Sequence, residues 1–339
     1  MHFGFPFKNV DRAYLNTFTA LFLVSTCVRV NYYIDEYAHR DSVAGILLVS
    51  LCGLFEMKEV TGVIDAHTHI FPPYQIKNRK KLLETDKGFA ELYSDPKARL
   101  ADADQLLEII EDDFFSGAVA AGFAFSEESV ARAQNEYLLE VAQGNPSIIP
   151  FVNINLRWDN WVLEAERLLN LGARGFGELR PGTQNWNPLD VEAKRLYELA
   201  NDANVPLLWH SSEPFGHVYP GKMGGIAPDS LLMCATEYPE VIMIGAHLGA
   251  GAPFFLQMPE IRRSLPNLLF DTAAAPLLYG DRCVARLVDL VGVDRVLFAS
   301  DFPLRNPIKD FELAVEDLSE KDAYAIGALN ARRVLLTND

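Results

Sequence analysis

From Thr61 onward the chain repeats one pattern. A short apolar run rich in Val, Ile and Phe is followed by a stretch with helical periodicity, eight times over. The strand candidates are "GVIDAHTHI" (62–70), "GAVAAGFAF" (117–125), "IIPFVNINL" (148–156) and "ARGFGELR" (173–180). The series continues with "VPLLWHS" (205–211), "VIMIGAHL" (241–248), "NLLFDTAA" (267–274) and "RVLFASDF" (295–302). Helical patterns among these eight include 102–114, 128–143, 161–172, 191–203, 283–292 and 322–335. Eight βα units of this length predict an α/β fold closed into a parallel (β/α)8 TIM barrel. An open doubly wound sheet is the rival, and it normally carries a glycine-rich phosphate loop after its first strand. Here the first strand ends in "HTHIFPP", which has no glycine to cradle a pyrophosphate. The longest connection, 71–101, has the length of loops that cap a barrel mouth.

Residues 1–60 do not share this pattern. Two uncharged apolar runs, 13–28 and 42–55, flank the polar and aromatic "RVNYYIDEYAHRD". Both fall short of the roughly 20 residues that span a bilayer. We expect an apolar helical extension over 1–60 beside a barrel domain over 61–339. The extension would pack on the barrel or on a second subunit, which makes a homodimer a natural expectation. A signal sequence with Lys8 and Arg12 ahead of its apolar core, and membrane association through 13–55, are the other readings.

Composition narrows the function classes. Hydrophobic residues make up 49% and charged residues 22%, which is globular and not disordered. The net charge of −16 repels phosphate backbones, and no basic run argues for nucleic-acid binding. Four cysteines without a C-x-x-C pair indicate neither a disulfide framework nor a cysteine zinc site. They read as reduced thiols of a cytoplasmic protein.

The titratable residues gather at strand ends. His67 and His69 close the first strand candidate, and Glu178 lies near the end of the fourth. His210, His247 and Asp301 end the fifth, sixth and eighth. In a barrel the C-terminal ends of all strands surround one mouth, so six residues far apart in sequence converge. Side chains two apart on a strand share a face, so His67 and His69 can reach one divalent ion. Asp65, two residues deeper, either orients a ligand or hydrogen-bonds within the barrel. Each residue alone has an ordinary structural explanation. Their shared position at one end of the strands is what points to a metal site.

These pieces, "IDAHTHI", "GFGELRP", "LLWHSSEPFGHVYPGK", "IGAHLGAG", "LLFDTAAAP" and "VLFASDFPL", make the chain from Thr61 to about Leu336 resemble the amidohydrolase superfamily. The branch it resembles holds metal-dependent hydrolases and decarboxylases such as aminocarboxymuconate semialdehyde decarboxylase. The resemblance implies that His67, His69, His210 and Asp301 bind a divalent metal, Zn²⁺ foremost and Mn²⁺ otherwise. It implies that His247 polarises a water or the substrate. Glu178 stands where many two-metal members have a carboxylated lysine, so a second ion bridged by Glu178 is also expected as an option.

The leading expectation is hydrolysis of a small ester, lactone or amide, one that itself can bear a carboxylate. A bound ion would lower the pKa of its water toward about 7, with Asp301 as base and acid and His247 steadying the oxyanion. Arg180, Arg305, Lys222 and His217 follow strand ends and are candidates to grip the substrate. The alternative is non-oxidative decarboxylation of an aromatic or muconate-type acid. A third reading is a non-catalytic barrel acting through its N-terminal hairpin.

Overall fold

A computed structural model describes residues 62–110 and 114–336. The expected N-terminal helices, their dimer contact and any membrane association through 13–55 lie outside the described residues. Within them, no helix is long and apolar enough to cross a membrane.

Eight strands run in the order β1 (Val63–Thr68), β2 (Phe115–Ala121), β3 (Ile148–Val152), β4 (Gly175–Leu179), β5 (Leu207–Trp209), β6 (Met243–Gly245), β7 (Leu268–Asp271) and β8 (Val296–Leu297). Neighbours in sequence are neighbours in the sheet, and every pair is parallel. The sheet returns on itself. Ala66 N–H donates to Phe298 O at 2.9 Å, Asp301 N–H to His67 O at 3.0 Å and His69 N–H to Phe302 O at 2.6 Å. A helix follows each strand, so the molecule is the (β/α)8 barrel that the alternation predicts.

The ladders are shorter than the apolar runs. β5 ends at Trp209 and β8 at Leu297, although the runs continue to 211 and 302. Residues past the regular ladder keep single cross-strand hydrogen bonds, such as His210 N–H to Leu179 O at 3.0 Å. His69, His210, His247 and Asp301 therefore sit just past strands and not inside them, while His67 and Glu178 remain within β1 and β4. His247 (φ 56°) and Asp301 (φ 64°) adopt the left-handed conformation, which cannot continue a strand.

The barrel interior is filled by Ile64 and Ala66 of β1, Val119 of β2, Ile149 and Phe151 of β3, and Leu208, Ile244, Leu269 and Leu297 of β5 to β8. β4 contributes space instead. A Cβ on Gly175 would lie 2.5 Å from the Phe151 ring, so only glycine lets that ring lie across β4.

The long connection after β1 folds into three short helices, α1 (Pro73–Lys77), α2 (Arg79–Thr85) and α3 (Lys87–Tyr93). Asp86 caps α3 by accepting from Phe89 N–H at 2.8 Å, and its other oxygen accepts Ser126 N–H at 2.8 Å. Phe71, Phe89 and Tyr93 pack ring against ring with Phe123, which seats α3 over the barrel mouth.

On the helix Glu128–Gly144 the buried face carries two amides, Gln134 and Asn135, among Ala131, Leu138 and Leu139. Asn135 donates to Asn153 O at 2.7 Å and accepts Asn153 N–H at 2.9 Å. Asn153 in turn donates to the Glu178 carbonyl at 2.7 Å. Truncating Asn135 leaves a buried N–H and C=O unpaired, so Asn135→Ala is expected to cost about 3 kcal/mol. A urea midpoint unchanged from the parent would refute this.

Candidate metal centre

The six expected residues meet at the mouth. Ligand atoms of His67, His69 and Asp301 lie within 4.8 Å of one another, and so do those of Glu178, His210 and His247. The two trios adjoin: Glu178 Oε1 is 3.6 Å from His67 Nε2, and Glu178 Oε2 is 3.6 Å from His69 Nε2. Asp301 Oδ1 is 3.7 Å from His69 Nε2. All four histidines are buried, while the Glu178 and Asp301 side chains keep 12% and 15% exposure, so the cluster opens to solvent through its carboxylates.

The ring hydrogen bonds fix what each histidine can do. Among these four, His69 Nδ1 lies 3.0 Å from Ala121 O, His247 Nδ1 lies 3.0 Å from Ala273 O and His210 Nε2 lies 2.6 Å from Gly221 O. A carbonyl oxygen only accepts, so each of these nitrogens carries the proton. His67 Nδ1 lies 2.9 Å from the Asp271 carboxylate, which also only accepts. The opposite nitrogen of every ring then faces the cluster, and His210 Nδ1 also lies 2.8 Å from Glu178 Oε1. His67 Nε2 and His69 Nε2 stand 3.1 Å apart, and His247 Nε2 stands 3.1 Å from His210 Nδ1.

Ring nitrogens at that distance, beside two carboxylates, can share a proton or take a metal cation between them. Two nitrogens on one ion at about 2.0–2.1 Å lie about 2.9 Å apart at a right angle and about 3.4 Å apart at the tetrahedral angle. The observed 3.1 Å falls inside that interval. The donor set of imidazole nitrogen and carboxylate oxygen suits a divalent transition metal. The residues present therefore fit such an ion.

Electrostatics agree with the geometry. Burial raises the Glu178 carboxyl, but His210 and His67 outweigh it and hold the group well below the usual range. Burial pushes His67 down, yet the charges of Glu178 and Asp271 and the Asp271 hydrogen bond bring it up to about 10. The site strongly attracts positive charge. His247 and Asp301 also hold strained left-handed backbones, and such strain gathers at functional sites.

Asp65 takes the structural role. It accepts from Ser300 N–H at 3.0 Å and from the Ser300 hydroxyl at 2.5 Å, stapling β1 to the segment after β8, and touches no imidazole ring. Burial pushes its carboxyl up to about 7. The residue that orients His67 is Asp271, at the end of β7, which the sequence reading passes over. Its other oxygen accepts His247 N–H at 2.9 Å and Ala273 N–H at 3.0 Å. An aspartate closing an apolar strand run is the same signal that singled out Asp301.

Of the four expected substrate-binding residues, three turn elsewhere. Arg305 grips buried Asp310, with Nη2 at 2.7 Å and Nε 3.0 Å from both oxygens. Lys222 donates to the carbonyls of Phe215 at 3.0 Å and His217 at 2.9 Å, tying off its own loop. His217 is exposed on that loop against Tyr219. Arg180 is buried beside the site, two residues after Glu178. A cavity of about 560 Å³ lies between residues 272–285 and 310–317.

A parallel eight-stranded barrel with imidazoles and carboxylates converging at its C-terminal mouth is the architecture of a metal-assisted enzyme. The amidohydrolase family model matches residues 64–336, and the chain belongs to that family. No curated protein sequence matches it. Solved structures share its fold. The 2,6-dihydroxybenzoate decarboxylase from Rhizobium aligns with a TM-score of 0.61 at 18% identity, over 82% of this chain and 100% of that one. The 5-carboxyvanillate decarboxylase from Novosphingobium aromaticivorans, complexed with manganese and 4-hydroxy-3-methoxy-5-nitrobenzoic acid, aligns with a TM-score of 0.64 at 16% identity, over 81% and 96%. A dihydroxybenzoic acid decarboxylase from Polaromonas, with bound manganese and the inhibitor 2-nitroresorcinol, aligns with a TM-score of 0.60 at 18% identity, over 82% and 98%.

Proposed function

We propose that this amidohydrolase is a divalent-metal-dependent enzyme that decarboxylates a hydroxylated aromatic acid without oxidation. The observation that supports the metal is the convergence of four imidazoles, each held from behind through its outer nitrogen, on two carboxylates. What favours decarboxylation over the expected hydrolysis is the kinship in fold, along nearly their whole length, with decarboxylases of aromatic acids, two of them holding manganese. Manganese or zinc suits the donor set, and manganese is the first ion to try.

In this reading His67, His69, His210 and Asp301 hold the ion. Glu178, whose oxygens face His67, His210 and His247 on one side and His69 on the other, would add a carboxylate to that set or help to hold a second ion. An ion held there would supply positive charge to an anionic substrate. The ring carbon–carboxylate bond breaks, its electron pair stays on the ring carbon, and a proton takes the place of CO₂. His247 is the group to carry that proton. Its Nδ1 is committed to Ala273 O, so the exchangeable position is Nε2, which faces the site 3.3 Å from Glu178 Oε1.

Protein stripped with a chelator and reloaded with Mn²⁺ or Zn²⁺ is expected to release CO₂ from members of a panel of hydroxybenzoic acids, and the stripped protein none. Cleavage of esters or lactones with no CO₂ from any acid would restore hydrolysis as the function. A preparation that takes up no transition metal would sink the metal centre and leave the non-catalytic reading.

A further inference from the structure

We infer that Arg180 is the residue that binds the carboxylate of the substrate, and that Glu91 on α3 is the internal carboxylate against which the substrate competes. The inference rests on the proposed function, because only an anionic substrate needs such a partner.

Among the described residues, five buried side-chain nitrogen or oxygen atoms lack a hydrogen-bond partner, and two of them are Nε and Nη1 of Arg180. Arg180 is the charged residue in that set and is 2% exposed. A guanidinium never gives up its proton, so buried N–H groups of this kind call for an acceptor. The third nitrogen, Nη2, is crowded. It lies 2.5 Å from Glu91 Oε2 and 3.0 Å from Gly221 O, and it also reaches Met223 O. Three acceptors share one NH₂ group while the other two nitrogens have none.

The guanidinium is one oxygen atom away from the metal centre. The Gly221 carbonyl that accepts from Arg180 is the same one that accepts from His210 Nε2 at 2.6 Å. The phenol of Tyr93 is pushed up by burial first and then by the charges of Asp301 and Glu178, with Arg79 and Arg180 opposing. Arg180 therefore acts on the same small volume as the two site carboxylates. That volume already holds the carboxylates of Glu178, Asp301 and Asp271, so an ion of charge two leaves a substrate anion unbalanced. Arg305 and Lys222 are committed elsewhere, which leaves Arg180 as the cation of the expected set with open donors.

Glu91 gives the arrangement its second feature. Its Oε1 is 3.2 Å from the N–H groups of both Gly221 and Met223, so α3 is tied to the loop after β5 through one carboxylate. A substrate carboxylate reaching Arg180 enters a field that Glu91 has partly cancelled. Removing the Glu91 charge while keeping its oxygen should therefore strengthen carboxylate binding.

The test is equilibrium binding by calorimetry to Mn²⁺-loaded full-length protein. The probes are 2,6-dihydroxybenzoate and resorcinol, which share the phenols and differ in the carboxylate. Arg180→Gln is expected to weaken 2,6-dihydroxybenzoate at least about tenfold, the value of a charge-assisted hydrogen bond. Resorcinol binding and metal content are expected to stay put, which a collapsed pocket would not allow. Glu91→Gln is expected to tighten 2,6-dihydroxybenzoate severalfold and leave resorcinol unchanged. If Arg180→Gln weakens both probes alike and Glu91→Gln tightens neither, Arg180 is a structural tie and the inference fails alone. If the metal-loaded parent binds neither probe, the proposed function fails.

Discussion

Asp271→Asn is expected to lower metal affinity about ten- to a hundredfold, or about 1.4–2.8 kcal/mol, although Asp271 need not touch the ion. One Asp271 oxygen accepts two backbone N–H groups, from His247 at 2.9 Å and Ala273 at 3.0 Å. In the asparagine variant the amide oxygen must stay there, so the NH₂ group is forced toward His67 Nδ1. Two donors cannot face each other. His67 then moves its proton to Nε2, the nitrogen 3.1 Å from His69 Nε2, and points an N–H at the ion. Competition with a fluorescent chelator measures the loss. Parent-like affinity in this variant would mean that His67 is not a ligand. Circular dichroism should be unchanged, because side-chain volume and the two backbone hydrogen bonds survive.

The second large effect is on turnover. His247→Asn is expected to reduce kcat about 10²- to 10⁴-fold with metal content unchanged. Asparagine keeps a donor for Ala273 O, and it tolerates the left-handed backbone that His247 occupies at φ 56°. What it loses is the inward Nε2, the position assigned to the proton that replaces CO₂. If metal content falls with activity, His247 is a ligand and a second ion shared with Glu178 and His210 becomes the better account. If kcat holds, another group carries the proton, and Asp301, at 15% side-chain exposure, is the next to test.

Much of the site was legible before the fold. A strand alternates its faces, so "HTH" at a strand end already placed two imidazoles on one face. A barrel gathers all strand ends, so Glu178, His210, His247 and Asp301 followed from position alone. The substrate-binding set was far less legible. Arg305 and Arg180 both follow strands and look alike in sequence. Arg305 is bound by Asp310 five residues on, while Arg180 meets Glu91 from a helix 89 residues earlier. Only the second arrangement leaves donors open.

The sequence by itself determined the barrel and the residue types at its mouth, because both rest on local periodicity and on the parallel repetition of one unit. The tertiary structure decided the chemistry each residue is fit for. Which ring nitrogen carries the proton depends on partners far along the chain. His67 is set by Asp271, 204 residues away, and His247 by Ala273 across the barrel. A hydrogen bond of that kind has no period and no local signature. It exists only once eight strands have closed and brought distant carbonyls and carboxylates behind the histidines.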